Sequence, residues 1–124
     1  MQLKLLPNTF GILKFEPPQT FPVWLGQAEI FFVAQTEDEY SIICPQQHIP
    51  ANIEYSKNWR CFRADGDLEF DEIGVVAKLS KPLADAGMSI FLVSTHDRDY
   101  VFVQDDDLQK AIDIYTAINF SVNV

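Results

Sequence analysis

The sequence predicts an α+β fold in which two copies of one small strand-and-helix unit follow each other. The first observation is the length of 124 residues, which suits one compact domain or two very small units over a shared core. The second is an internal repeat with an offset of sixty residues, close to half of the chain. The third is the regular exchange of strand-type and helix-type periodicity in the second half. The composition, 48% hydrophobic and 22% charged, is typical of a globular protein.

The repeat is clearest in two apolar pentapeptides. Residues 30–34, Ile-Phe-Phe-Val-Ala, lie over residues 90–94, Ile-Phe-Leu-Val-Ser. The match continues through an acidic turn into a second strand, where Tyr40 and Tyr100 coincide. Both copies therefore have the order strand, acidic turn, strand. Two unrelated amphipathic hairpins can share such a pattern, so a chance similarity remains the alternative explanation.

The first copy, assigned to residues 1–57, is degenerate. Three of its segments have strand patterns: 9–15, 30–36 and 39–44. A short helix is expected at 21–27, begun by Pro22. The segment 46–53 contains Pro50 and is expected to form at most a single helical turn.

The second copy, residues 58–124, begins with a strand and a helix. Residues 58–64 alternate as a strand does, and the Asp-Gly-Asp sequence that follows favours a turn. From Asp71 onward, apolar residues recur at spacings of three and four, which predicts an amphipathic helix that ends at Gly87. Pro82 lies inside this helix and is expected to kink it near Lys78.

The remainder of the second copy completes a known strand and helix order. Residues 89–95 and 99–104 predict a hairpin, and residues 105–107, three aspartates, are expected to cap a second helix and to supply negative charge at its start. A last strand is expected at 120–124. The order βαββαβ, a four-stranded antiparallel sheet with both helices on one face, is the ferredoxin-like arrangement. Two such units in tandem are the predicted fold.

Charge and thiol content exclude several functions. Eighteen acidic and nine basic residues give a net charge of −9, which repels nucleic acids and anionic membrane surfaces. The uncharged stretches are far shorter than the roughly 18 apolar residues that a membrane helix needs. The N-terminus breaks its apolar run at Pro7 without a cleavage site, so no secretory signal is expected. Cys44 and Cys61 lack partners at ligand spacing and are expected to be buried and reduced. We therefore expect a cytoplasmic protein without a metal or a cofactor.

The second copy resembles an ACT domain. The resemblance lies in Phe-Asp-Glu-Ile-Gly-Val-Val-Ala-Lys-Leu at 70–79, in the segment 82–90, and in Val-Ser-Thr at 93–95. More narrowly, the chain is similar to tandem ACT proteins, which include small bacterial proteins of the ACT_7 type and the eukaryotic cytosolic arginine sensors of the TOR pathway. The similarity is strongest over residues 58–118. It implies that an amino acid binds at an interface between ACT units and thereby controls another protein.

The resemblance also implies a set of ligand-binding residues. They are Glu72, Gly74, Ser89, Ile90, Thr95, His96 and Asp99. Glu72 matches a carboxylate that holds the cationic end of the ligand, and the hairpin turn of Thr95, His96 and Asp99 completes the pocket. Ser89 and Ile90 match a strand that contributes backbone groups from the neighbouring unit. The arginine sensors have an aromatic residue where this chain has His96 and a small residue where it has Glu69, which leaves the identity of the ligand open.

The same site follows from general chemistry. An amino acid needs acceptors for its ammonium group and donors for its carboxylate, and the helix that follows Gly74 offers free N–H groups for the second task. Glu72 and Asp99 are the candidate acceptors, and the acidic surroundings mildly favour a cationic amino acid. Three structural explanations compete with this hypothesis. Glu72 could only complement the helix dipole, Asp99 could be ordinary polarity at a strand start, and His96 could be a solvated side chain.

Three functions are consistent with these features. The first is a regulatory module without catalysis of its own, which binds an amino acid and acts on a protein partner. The second is a small dimeric enzyme, of isomerase or monooxygenase type, with His96 and Asp99 as an acid–base pair. The third is an interaction scaffold whose pocket has decayed. The sequence contains no nucleophile beside a base and no phosphate-binding glycine loop, which favours the first function. Exposed edge strands further predict a homodimer or close pairing of the two repeats.

Overall fold

The computed structural model describes residues 1–65 and 73–124, and their contacts divide the chain into two units. The C-terminal unit consists of Met1–Pro7 together with Trp59–Val124, and the N-terminal unit consists of Asn8–Asn58. The sequence placed the boundary at residue 57 and assigned everything before it to the first copy. The first seven residues instead pack with the second copy, because they form one of its strands.

The described elements follow each other along the chain in a mixed order. They are β1 Gln2–Leu5, β2 Phe10–Phe15, a 3-10 helix Val23–Gln27, β3 Phe32–Gln35, β4 Tyr40–Pro45, a 3-10 helix Gln46–His48, β5 Ser56–Asp65, α1 Val75–Asp85, β6 Ile90–Ser94, β7 Asp99–Gln104, a 3-10 turn Asp105–Asp107, α2 Leu108–Ala117 and β8 Ser121–Asn123.

The C-terminal unit has the predicted order βαββαβ from β5 to β8, with one strand added. Its sheet runs β6-β7-β5-β1-β8. Strand β1 lies between β5 and β8, antiparallel to β5 and parallel to β8, so that Gln2 is level with both Asp65 and Ser121. The predicted four-stranded, purely antiparallel sheet is therefore wrong in two respects. The sheet has five strands, and one of its pairs is parallel.

The helices α1 and α2 pack on one face of this sheet around a buried aromatic ring. The hydroxyl of Tyr115 donates a hydrogen bond of 2.6 Å to the carbonyl of Leu79, which joins the two helices. The same ring meets Phe62 edge to face, with centroids 5.5 Å apart. Burial of Tyr115 raises the pKa of its hydroxyl, which therefore stays protonated and available as a donor. Leu3 of β1 belongs to this core and is fully buried.

The helix ends agree only in part with the prediction. Helix α1 continues through Pro82 and ends at Asp85. The predicted stop, Gly87, follows the C-cap Ala86 and has a φ of +75°. The predicted start at Asp71 lies outside the described residues. Before α2, the three aspartates form a 3-10 turn in which no side chain caps the helix, so the predicted side-chain cap is wrong. Their negative charge at the start of α2 still complements the helix dipole.

The N-terminal unit is simpler than a complete ferredoxin-like unit. Its three strands form an antiparallel sheet in the order β3-β4-β2. The helix predicted at 21–27 is a five-residue 3-10 helix, and the single turn predicted at 46–53 is a three-residue one. Both begin directly after a proline, and Pro50 follows the second. Pro50 prevents the second turn from extending into an α-helix.

In the described part of the chain, no helix is long and apolar enough to cross a membrane.

We predict that Leu3→Ala lowers the free energy of unfolding by about 2–5 kcal/mol, the usual cost of removing a buried leucine side chain. Leu3 is 0% exposed and packs between two paired strands. Urea unfolding monitored by circular dichroism measures the change. Lys4→Ala, an exposed substitution on the same strand, is the matched control and should alter stability by less than about 0.5 kcal/mol. Equal effects of the two substitutions would show that β1 is not a core strand.

Candidate functional site

The candidate site lies at one end of the sheet in the C-terminal unit. Strands β5 and β6 run in the same direction, since both are antiparallel to β7. They therefore end at the same edge, at Asp65 and Ser94, where β7 begins at Asp99. We call this end of the sheet the Asp65 edge. Helix α1 ends beside the start of β6 and packs along β6 and β7, so its N-terminus points toward the Asp65 edge.

The turn between β6 and β7 is held by its own side chains. The backbone N–H of Thr95 donates to the carbonyl of Arg98 over 2.8 Å, and the Thr95 hydroxyl accepts from the Arg98 N–H over 3.2 Å. His96 Nδ1 lies 2.7 Å from a carboxylate oxygen of Asp97. This contact with His96 keeps the pKa of the Asp97 carboxyl below its usual range. The turn is thus a fixed polar loop with the exposed side chains of Thr95 and His96 on it.

Asp99 begins β7 and faces Ser94 across the hairpin. The Ser94 hydroxyl donates a short hydrogen bond to the Asp99 carboxylate. One serine satisfies only part of the acceptor capacity of a carboxylate, which can accept about four hydrogen bonds. Asp99 is half-buried, so a cation placed there would be partly shielded from solvent.

Gly74 forms the entry to α1. Its φ is +84°, a left-handed conformation that residues with a side chain adopt with strain. Its carbonyl accepts the first helical hydrogen bond, from the N–H of Lys78 over 2.9 Å. Within residues 1–65 and 73–124, no side chain caps the helix start. No side chain of the described residues therefore occupies the first N–H groups of α1, which can donate to an anion.

The seven predicted site residues do not all lie together in one copy of the chain. Thr95, His96 and Asp99 lie at the Asp65 edge, toward which the helix start at Gly74 points. Ser89 and Ile90 lie at the opposite end, where Ile90 is level with Val103. Glu72 falls outside the described residues, as does Glu69. The site predicted from the sequence is thus divided between the two ends of β6.

A cluster of two arginines and an aspartate also lies at the Asp65 edge, and sequence reasoning missed it. Arg63 and Asp65 form a bidentate ion pair, with Nη2 to Oδ2 at 3.0 Å, and Arg98 Nε lies 4.0 Å from Asp65 Oδ1. Residues two apart on a strand share a face. The spacing of Arg63 and Asp65 on the predicted strand was therefore the signal that could have revealed the pair.

The ion pair shifts both ionisations in the expected directions. The hydrogen bond from Arg63 holds the pKa of Asp65 below its usual range, with smaller contributions from Arg98 and Lys4. The same hydrogen bond raises the pKa of Arg63. Two guanidinium groups face one carboxylate, so the cluster keeps an excess of positive charge.

Two protein-family models match this chain. The model of the ACT_7 family, an ACT domain, matches residues 54–115, which is half of the chain. The chain belongs to this family. A second family model, of an N-terminal domain, matches residues 8–52. The two matches cover separate parts of the chain.

The chain is similar to one curated protein over part of its length and to one solved structure over nearly all of it. The cytosolic arginine sensor for mTORC1 subunit 1 from Rattus norvegicus is 40% identical over 57 residues, which cover 45% of this chain and 17% of the sensor. The match thus spans less than a fifth of that relative. A crystal structure of an Agobacterium tumefaciens protein is 33% identical with a TM-score of 0.91, and the alignment covers 98% of this chain and 90% of the other.

A third similarity concerns the fold alone. The regulatory subunit of aspartate kinase from Thermus thermophilus is 11% identical with a TM-score of 0.61, over 89% of this chain and 92% of the subunit. The predicted ACT resemblance and the α+β fold class are confirmed by these comparisons.

We predict that Arg63→Gln raises the pKa of Asp65 toward the value near 4 of an unperturbed aspartate. In the native chain, Asp65 has a lowered pKa, so its ion pair stabilises the fold at any pH above about 4. This stabilisation disappears as the pH falls through the lowered pKa. Titration of the carboxyl carbon by NMR measures the shift. Lys4→Gln is the control and should move the pKa less, because Lys4 is the smallest contributor. An unchanged Asp65 pKa in Arg63→Gln would contradict the assignment.

Proposed function

We propose that this ACT protein is a regulatory module that binds a small amino acid between two copies of its C-terminal unit and has no catalytic activity of its own. The observation that carries the proposal is the division of the candidate residues between the two ends of β6. Among the described residues, β6 pairs only with β7, so its other edge is open. An open edge strand accepts a further strand.

Antiparallel pairing of two β6 strands around a two-fold axis would reunite the divided site. Such a pairing sets the end of β6 in one copy beside the start of β6 in the other. Ser89 and Ile90 of one copy would then lie next to the Asp99 turn of the second copy. The pocket so formed would contain the backbone groups of one copy and the carboxylate and helix N-terminus of the other.

The described groups provide the two functions that an amino acid requires. Asp99 offers acceptors for an ammonium group, and we assign the same role to Glu72. The first N–H groups of α1, after Gly74, offer donors for a carboxylate on the face of the sheet that the helices cover. Each desolvated hydrogen bond to a charged group contributes roughly 1.5–3 kcal/mol. Two or three of them are enough for a micromolar site of about 8 kcal/mol once ordering costs are subtracted. The acidic groups favour a cationic amino acid among the candidate ligands.

The geometry of His96 supports a binding role over an enzymatic one. An acid–base pair of His96 and Asp99 would need both groups to face one reacting atom. His96 is oriented toward Asp97 in the exposed turn, while Asp99 accepts its hydrogen bond from Ser94. The Asp99 carboxylate is thus already directed at a neutral hydroxyl, an arrangement that suits an acceptor for a ligand.

We further propose that the protein acts in the cytoplasm on a protein partner. The name of the arginine sensor, a cytosolic protein, supports the location. The name of the aspartate kinase regulatory subunit supports an action on another protein. Neither name identifies the partner of this chain.

We predict that one of the common amino acids raises the melting temperature of the full chain. A ligand at about a hundred times its Kd adds ~2.7 kcal/mol of stability, which corresponds to roughly 10 °C for a chain of this size. A thermal-shift screen with each amino acid measures the effect. Asp99→Asn and Glu72→Gln should abolish the shift, because each removes an acceptor charge for the ammonium group. The proposal fails if no amino acid gives a shift.

The matched control for these substitutions is Asp106→Asn. Asp106 is exposed and follows the far end of β7, so it loses the same charge away from the Asp65 edge. Its ligand-induced shift should equal that of the native chain. A shift that survives both Asp99→Asn and Glu72→Gln would locate the ligand elsewhere.

We predict that Phe91→Lys converts the dimer into monomers, because two lysines on paired edge strands repel each other. Phe91 lies on β6 and is 39% exposed. Val33→Lys is the matched control, because Val33 is 38% exposed on the edge strand β3 of the N-terminal unit. Sedimentation velocity measures the state of assembly. Dissociation by Val33→Lys and not by Phe91→Lys would assign the interface to β3.

A further inference from the structure

The outer surface of the helix layer in the C-terminal unit contains an apolar groove. It has a volume of about 630 Å³ and lies between α1, α2 and the residues that lead into β8. Pro82 of α1, Ile114 of α2, and Ile118 and Phe120 after the end of α2 form its apolar part. This volume is within the range of about 300–1,000 Å³ that is typical of ligand-binding clefts. The groove is separate from the Asp65 edge, because it lies along the middle and outer side of the helices.

The apolar character of this surface is unusual for a helix face turned to solvent. The outward positions of surface helices are normally polar. Here Ile118, which lines the groove, is 42% exposed. The floor is also preformed, since Phe120 stacks on Tyr115 at 5.4 Å and Tyr115 is tied to Leu79 by its hydroxyl. An exposed apolar surface on a fixed floor is typical of an interaction site.

Two lysines border the groove on the side of α1. Lys78 and Lys81 both line it and are one helical turn apart. Lys81 pairs with Asp85 over 2.8 Å, whereas Lys78 forms no ion pair within residues 1–65 and 73–124. The groove therefore carries a net positive charge in a chain whose total is −9. A ligand that fits it combines an apolar surface with negative charge.

Pro82 adds a hydrogen-bond acceptor to the same wall. Proline has no backbone N–H, so Pro82 cannot donate to the carbonyl of Lys78, four residues earlier. This carbonyl therefore lacks its regular helical partner. A polar side chain that approaches from the groove can donate to it.

We propose that this groove binds an acidic amphipathic helix of a partner protein. Apolar side chains at spacings of three and four in that helix would cover Ile114, Ile118 and Phe120. Its carboxylates, one turn apart, would pair with Lys78 and Lys81. A second copy of the chain fits this groove less well. Two-fold contact through the same surface would bring the lysines of both copies together.

The test uses the full chain and two synthetic probes. The first is a fluorescein-labelled helical peptide of about 16 residues with leucines along one face and glutamates beside them. The second has lysines in place of the glutamates. Fluorescence anisotropy measures binding of each probe. The native chain should bind the glutamate peptide with a micromolar Kd, and the lysine peptide about tenfold more weakly.

Substitutions in the groove should change this preference. The double substitution Lys78→Glu and Lys81→Glu should weaken binding of the glutamate peptide about tenfold and strengthen binding of the lysine peptide. Ile118→Glu, at an exposed position, should weaken binding of the glutamate peptide without lowering the melting temperature. The double substitution Lys14→Glu and Lys57→Glu, an equal charge change at two exposed positions of the N-terminal unit, is the matched control and should leave both affinities unchanged.

Four outcomes would overturn the proposal. They are failure of the native chain to bind the glutamate peptide, equal binding of both peptides, binding that survives the double lysine substitution, and a smaller assembly of the chain caused by Ile118→Glu in sedimentation velocity. The last outcome would identify a second copy of the chain as the occupant of the groove.

Discussion

The pairing of β1 with β5 is the constraint on which the C-terminal unit depends. Residues 2–5 and 62–65 are joined along four registered positions, with Leu3 buried between them and the helices. The intervening residues leave the unit after Pro7 and return to it at Trp59. Closing so long a loop costs chain entropy that grows only slowly with its length. The buried strand offsets this cost, because both of its edges are paired and its leucine lies in the core.

Local periodicity predicted most of the C-terminal unit, and long-range pairing explains what it missed. The α1 stop at Gly87 and the hairpin of β6 and β7 follow from neighbouring residues, so a single sequence was sufficient for them. Strand β1 has only four residues and one internal lysine, and its partners are far away in sequence. Its position as an inner strand comes from tertiary packing, which overrides weak local preference.

The helices of the N-terminal unit show a different limit. The two 3-10 helices begin directly after Pro22 and Pro45. A proline that favours the start of a helix does not determine how far the helix extends. A new helical turn gains stability mainly by covering an apolar face. The segments at 23–27 and 46–48 each bring few buried side chains, with Leu25 the one fully buried member. Both therefore stop as 3-10 turns.

The candidate site was predicted by residue type, and its arrangement depends on the direction of β6. The turn residues follow from the acidic hairpin that repeats in the chain, whereas the ion pair of Arg63 and Asp65 depends on which face of β5 both side chains share. Helix α1 connects this site to the apolar groove, since it begins after Gly74 and presents Lys78 and Lys81 one to two turns later. An amino acid at the Asp65 edge can change the groove only if it prefers one position of α1 over another, because a ligand shifts an equilibrium by its difference in affinity for the two states. Its carboxylate would contact the first N–H groups of this same helix. The helix start is therefore where such a difference would arise, and any coupling between ligand and partner would be reciprocal.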